Sequence, residues 1–106
     1  MEDFLERNDV IKRIKKALQK RSGRTWSVTG GRGTAYGWIK ISSPPKRMEN
    51  WYMPESDRKE LGDLLGLSKP VHQQGESIPS SNAYYQEYID RAEGREPTRI
   101  GTPYWD

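Results

Sequence analysis

The sequence predicts an α+β fold, in which an N-terminal amphipathic helix packs on an antiparallel β-hairpin and two shorter helices and an extended aromatic C-terminal tail follow. Three observations support this class. Apolar residues recur at helical spacing near the start, two segments of alternating apolar residues flank a glycine-rich stretch, and two more helical stripes lie in the second half. A chain of 106 residues has the size of one domain, so we expect residues 1–106 to fold as a single domain.

An apolar stripe defines the first helix, in the segment NDVIKRIKKALQKRSG. Asn8 or Asp9 can cap its first turn, and Gly23 can end it in the left-handed conformation. Residues three and four positions apart share one helix face, and here these are Val10, Ile11, Ile14, Ala17 and Leu18. The other faces are basic.

A β-hairpin follows, with strands in TWSVT and AYGWIKIS. Trp26 and Val28 alternate with polar residues in the first segment, as do Ile39 and Ile41 in the second. The connection GGRGT has the length and glycine content of a hairpin turn. Its glycines lack the spacing of a dinucleotide-binding loop and the G-K-S/T of a P-loop, and they lead into a strand. We therefore expect a hairpin turn here rather than a mononucleotide site.

The two faces of the hairpin predict different surroundings. The face with Trp26 and Val28 should pack on the helix, whereas the opposite face carries Tyr36, Trp38 and Lys40. Aromatic rings beside a lysine are typical of platforms for single-stranded nucleic acid. A sheet face covered by a later segment has the same composition. We favour the interpretation that a later segment covers this face, because the aromatic segments of the second half need a surface to pack against.

The second half predicts two helices joined by loops. The proline-rich SSPPKRMENWYMP is a connection, and ESDRKELGDLLGLS has leucines at helical spacing between Ser56 as cap and Gly66 as stop. After a loop in KPVHQQGESIPSS, the segment SNAYYQEYIDRAEG predicts a helix from Ser81 or Asn82 to Gly94. The tail ends in PYWD, and we expect its aromatic rings to dock on the rest of the protein.

The segment RKELGDLLGLS is similar to the opening of a helix-turn-helix DNA reader. A recognition helix should follow it directly, but Pro70, Gly75 and Pro79 interrupt the next segment. The region is also acidic, which opposes approach to phosphate. We therefore interpret this segment as a packing helix.

Charge is distributed very unevenly along the chain, although the net charge is only +3. Residues 1–9 hold four acids and one base, and residues 10–48 hold eleven bases and no acid. Residues 49–106 then hold eleven acids and six bases. A basic half is thus joined to an acidic half.

This asymmetry has two interpretations. In the first, the protein is a small non-enzymatic nucleic-acid-binding or accessory protein, since cations that replace phosphate counterions supply much of the affinity for nucleic acid. The candidate phosphate-binding residues are Lys12, Arg13, Lys16, Lys20, Arg24 and Arg32. In the second, the basic and acidic faces pair with a protein partner or with a second copy of the chain. Spacing along the sequence does not decide whether the acidic half neutralises the basic half.

Composition argues against several other classes. The chain has no cysteine and a single histidine, His72, so thiolate chemistry and multi-histidine metal sites are not expected. Paired carboxylates such as Asp57 with Glu60 are ordinary on acidic helices, and we expect no enzyme, cofactor, metal or small-molecule substrate. The acidic start differs from a signal peptide, and no apolar run has the length of a membrane span. We expect a cytoplasmic protein.

Two resemblances accompany these expectations. Residues 10–42, with KKALQKRSGRTWSV and GWIKIS, resemble the helix-hairpin accessory domains of large polyvalent proteins from mobile elements. The whole chain, especially SIPSSNAYYQEYIDRAEG and GTPYWD, is similar to uncharacterised small proteins of cyanobacteria. Neither resemblance implies an activity or particular site residues.

Overall fold

A computed structural model describes residues 5–101 and confirms the α+β class. Over this range the chain forms three α-helices and a three-stranded antiparallel sheet. The elements follow one another in the order α1 (Arg7–Ser22), β1 (Ser27–Gly30), β2 (Ile39–Ser42), α2 (Glu55–Leu64), β3 (Glu76–Ile78) and α3 (Asn82–Ala92). The end of the predicted aromatic tail, with Tyr104 and Trp105, lies outside the described residues.

The apolar stripe of α1 faces the hydrophobic core. Val10, Ile14 and Leu18 are buried on this stripe, and α1 contacts β1 and α3. The same core contains side chains from the sheet region and from α3, among them Trp26, Val28, Ile39, Ile41, Tyr85, Tyr88 and Ile89. Each large apolar side chain removed from water stabilises the fold by about 1.5–3 kcal/mol. This burial fixes which face of α1 is turned outward.

Both ends of α1 carry a defined cap. The predicted N-cap, Asn8 or Asp9, is wrong, because the Glu6 carboxylate accepts hydrogen bonds from the backbone N–H groups of Asn8 at 2.9 Å and Asp9 at 3.2 Å. The positive end of the helix dipole also stabilises a carboxylate at this position. Gly23 ends the helix as predicted, with a φ of 72°.

The third strand was not predicted. Residues 69–81 were expected to form a loop, but Glu76–Ile78 pairs antiparallel with β2, placing Ile78 opposite Ile39. Gly75 precedes the strand with a φ of 111°, and a Cβ at this position would lie 2.4 Å from the carbonyl oxygen of Ile41. A glycine is therefore required where the chain turns against β2. So short a strand, flanked by glycine and proline, shows almost no alternation in the sequence.

The predicted start of the second strand is also wrong. Residues 31–38 form a connection with a single 3₁₀ turn at Gly33–Ala35, and β2 begins only at Ile39. Arg7 holds this connection, because its Nη1 donates to the carbonyl oxygens of Gly31 at 3.0 Å and Tyr36 at 2.9 Å and its guanidinium lies over the Tyr36 ring. Tyr36 and the half-buried Trp38 are thus not paired on a sheet face.

The outer face of the sheet carries a row of small and basic residues. Thr29, Lys40 and Ser77 are paired across the three strands, and all three are exposed. The segments within residues 5–101 therefore leave this row uncovered, contrary to the favoured expectation for the described part of the chain. The last five residues, which that expectation also involved, are outside the described range.

The two later helices are confirmed, with one correction. Helix α2 begins at Glu55 after Pro54 and has no side-chain cap, so the predicted cap at Ser56 is wrong. Ser81 caps α3 as predicted, its Oγ accepting from the N–H of Tyr84 at 3.0 Å. No helix begins directly after α2, and Leu61 and Leu65 are buried in the core. Between residues 5 and 101, no helix combines the length and apolarity needed to cross a membrane.

Candidate nucleic-acid interface

The outward face of α1 carries a row of three lysines, Lys12, Lys16 and Lys20, here called the lysine row. They are four residues apart and exposed, so each lies about 6 Å further along the helix axis than the one before. The buried stripe on the opposite side fixes their outward direction. In the described range, no carboxylate forms an ion pair with any of the three.

A groove of about 650 Å³ runs beside this row, between α1 and the C-terminal end of α3; we call it the α1–α3 groove. Five of its lining side chains are cationic and one is a carboxylate. The lining residues are Arg13, Lys16, Ala17, Lys20, Arg21, Glu93 and Arg95. The groove thus brings three of the six predicted phosphate-binding residues together, namely Arg13, Lys16 and Lys20.

Glu93 is the carboxylate of the groove, and two arginines bind it. Arg13 donates from Nε and Nη2 at 3.3 Å, and Arg95 donates from Nη1. Burial alone would raise the pKa of Glu93, but the hydrogen bonds from Arg95 and Arg13 lower it below its ordinary value. Because the Arg13 side chain is 52% exposed, its ion pair is worth at most about 1 kcal/mol. An incoming phosphate can therefore compete with Glu93 for Arg13.

Arg21 lines the same groove and also ties three helices together. Its Nη1 donates to the carbonyl oxygens of Leu64 at 2.7 Å, Ala92 at 2.9 Å and Arg91 at 3.2 Å. These carbonyls lie at the C-terminal ends of α2 and α3, where a cation is favoured by the helix dipoles. Arg21 therefore stabilises the packing of α1 against α2 and α3, and it also adds a positive charge to the groove.

Arg24 is bound by the acidic half of the chain. Its guanidinium donates to Asp57 at 2.9 Å and to Glu60. Asp57 is 1% exposed and also accepts from Ser43 Oγ at 2.7 Å and Arg47 Nε at 2.9 Å. Burial would raise the pKa of Asp57, but these three hydrogen-bond donors lower it below its ordinary value. Arg24 thus stabilises the junction between α1 and α2.

Arg32 lies at the opposite end of α1 from Lys20 and Arg24. It is exposed in the connection 31–38, which Arg7 fastens to the first turn of α1. Lys20 is thirteen residues further along the helix, about 20 Å at 1.5 Å per residue. The structure therefore does not bring Arg32 together with Lys20 and Arg24.

Arg21 and Arg95 were missed as residues of this surface. Arg21 follows Ala17 by one helical turn, so its position next to the apolar stripe could have been noticed in the sequence. Arg95 comes from the segment after α3, and no local pattern predicts that it meets Arg13 across a tertiary contact.

The described residues show no group of three or more histidine, cysteine or acidic side chains arranged to hold a metal. His72 is exposed in a turn, where its Nδ1 accepts a hydrogen bond from the backbone N–H of Gln74 at 3.1 Å. Comparison with known proteins gives no match: no family model, no curated protein and no solved structure is significantly similar to this chain.

Proposed function

We propose that this protein is a small non-enzymatic nucleic-acid-binding or accessory protein whose lysine row and α1–α3 groove bind phosphates. One observation carries the proposal: Lys12, Lys16 and Lys20 project together from α1, and within residues 5–101 no carboxylate pairs with them. Cations that lack an internal counter-charge are free to replace the counterions of phosphate groups.

The arrangement of the acidic half supports this choice over self-association through paired faces. Five of its carboxylates are already paired with arginines of the same chain: Asp57 with Arg24 and Arg47, Glu60 with Arg24, Glu87 with Arg91, Asp90 with Arg95, and Glu93 with Arg13 and Arg95. These carboxylates are largely unavailable to form an acidic docking face. The chain therefore offers fewer carboxylates to which the basic face of a second copy could bind.

The chemistry of the surface favours phosphate contact without base readout. Lysine is a compact point charge on a flexible stem, and it meets phosphate oxygens without the planar geometry that arginine uses to recognise a base edge. Contacts of this kind position a nucleic acid but do not read its sequence. We therefore expect binding that depends strongly on salt and weakly on base sequence.

A salt series tests the proposal. Binding of labelled single-stranded and duplex DNA and RNA is measured by fluorescence anisotropy between low and physiological salt. Each lost phosphate contact should reduce the log–log slope by about 0.7 for a single strand or 0.9 for a duplex, so Lys16→Gln with Lys20→Gln should reduce it by about 1.4–1.8.

A matched control removes the same charge from another face. Lys59 and Lys69 are exposed and lie outside the lining of the α1–α3 groove. The double variant Lys59→Gln with Lys69→Gln should therefore retain the slope of the wild type. An equal loss in both double variants would show only a dependence on net charge, and no binding at low salt would refute the proposal.

Two of the remaining predicted residues, Arg32 and Arg24, are tested singly. Arg32→Gln should change the slope only if the bound strand extends to the N-terminal end of α1. Arg24→Gln should lower stability rather than the slope, because Arg24 already pairs with Asp57 and Glu60. A thermal melt recorded beside each titration separates the two effects.

A further inference from the structure

A tight β-turn displays a tryptophan at its tip. Glu49 and Tyr52 close the turn through two backbone hydrogen bonds. The distance is 2.7 Å from the nitrogen of Glu49 to the carbonyl oxygen of Tyr52, and 2.9 Å from the nitrogen of Tyr52 to the carbonyl oxygen of Glu49. The two residues between them, Asn50 and Trp51, both have positive φ, 50° and 69°. A turn with two left-handed residues is the type I′ geometry, which favours asparagine at the first position and glycine at the second.

Trp51 suits neither this turn nor the core. A large L-residue with positive φ is strained, and in the described range Asn50 is the one other non-glycine residue with positive φ. The Trp51 side chain is 86% exposed, so burial does not compensate for that strain. An exposed aromatic residue held in a strained conformation is more typical of a binding site than of a structural turn.

The chain on both sides of the turn is firmly anchored. Before it, Arg47 donates to the buried Asp57 at 2.9 Å, and its guanidinium lies 4.9 Å from the centre of the Trp26 ring. After it, Met53 is buried and its N–H donates to the carbonyl of Gln73 at 2.7 Å. Trp51 therefore lies at the tip of a turn whose two ends are both held against the rest of the fold.

The chain that leads into the turn is linked through Asp57 to the end of α1 towards which the lysine row runs. Arg47 and Arg24 bind the two oxygens of the same carboxylate, Asp57, and Arg24 follows the C-terminal end of α1. Lys46 is exposed next to Arg47, and Glu49 adds one exposed carboxylate at the turn itself. An aromatic ring near cations matches how proteins hold single-stranded nucleic acid, with bases stacked on rings and phosphates on the cations.

We propose that Trp51 stacks on an unpaired base of a single-stranded nucleic acid whose phosphates lie on the lysine row. This inference rests on the proposed function and adds to it a preference for single strands over duplexes. Bases within a duplex are already stacked on their neighbours, so a ring on a projecting turn gains little from them.

Trp51→Gly tests the inference without threatening the fold, because glycine adopts the φ of this position without strain. Its melting temperature should equal or exceed that of the wild type. Binding is measured with a labelled strand of about 12 deoxythymidines and with a duplex of matched length. Trp51→Gly should weaken single-strand binding roughly 5- to 150-fold, Trp51→Phe should restore part of it, and duplex binding should stay unchanged.

The possible results separate the two proposals. If Trp51→Gly leaves single-strand binding unchanged while Lys16→Gln with Lys20→Gln weakens it, the stacking inference is overturned and the proposed function stands. Equal weakening of duplex binding also overturns stacking. If sedimentation shows that Trp51→Gly dissociates a dimer without altering DNA binding, Trp51 contacts protein instead. If the wild type binds neither probe at low salt, both proposals fail.

Discussion

Asp57 is 1% exposed and accepts hydrogen bonds from Ser43, Arg47 and Arg24. Asp57→Asn should reduce the free energy of unfolding by about 2–4 kcal/mol, because it removes the negative charge that two guanidinium groups share at a largely buried site. Urea unfolding at pH 7, followed by tryptophan fluorescence, measures this loss.

Glu60 provides the control for that experiment. It binds the same Arg24, but its side chain is 32% exposed and water can replace the lost interaction. Glu60→Gln should therefore cost less than about 1 kcal/mol. If the two substitutions destabilised the protein equally, burial would not be the source of the effect at Asp57.

At the scale of one element, α2 contains a glycine whose role is close packing. A Cβ on Gly62 would lie 2.6 Å from the carbonyl oxygen of Lys69 and 3.2 Å from the Cα of Pro70. This glycine lies in the segment RKELGDLLGLS, which is similar to the opening of a helix-turn-helix. The observed reason for it is the return of residues 69–70 across the helix.

Gly62→Ala should therefore destabilise the protein despite its better helix propensity. Alanine in place of a helical glycine contributes about 1 kcal/mol, but the contact with backbone atoms forces α2 or residues 69–70 to move, at a cost of typically 1–3 kcal/mol. We expect a lower melting temperature for this variant. Lys59→Ala at an exposed position of the same helix should leave it nearly unchanged, and a stabilised Gly62→Ala would show that the segment yields easily.

For single elements, the length of the apolar pattern explains which parts of the fold could be predicted from the sequence. Helices α1 and α3 have apolar stripes several turns long, and Gly23 and Gly94 follow them with φ of 72° and 82°. Strand β3 spans three residues with Ile78 alone buried, so alternation could not reveal it. Upstream of β2, Tyr36 and Trp38 occupy positions that alternate with Ile39 and so extend the predicted strand, although the chain there is held in a turn by Arg7.

At the scale of the whole molecule, the sequence predicts that the lysines form an exposed basic surface. It does not predict which of the neighbouring arginines are paired with carboxylates. The lysine row follows from helical spacing, and its exposure follows from the apolar stripe on the other side. The pairing of Arg13 with Glu93 and of Arg24 with Asp57 joins residues 80 and 33 positions apart. Such contacts depend on tertiary packing, which local spacing does not encode.

Paired carboxylates throughout the molecule should make its stability sensitive to acid. Burial would raise the pKa of Asp57, Asp90 and Glu93, but hydrogen bonds and nearby arginines lower all three. Their stabilising contribution is therefore present above the unfolded-state pKa of about 4 and is lost as the pH falls through the lower folded-state values. Urea unfolding between pH 7 and pH 2 should show this decline, and Glu93→Gln, which removes one half-buried carboxylate, should make it shallower. A free energy of unfolding that stayed constant down to pH 2 would contradict the prediction.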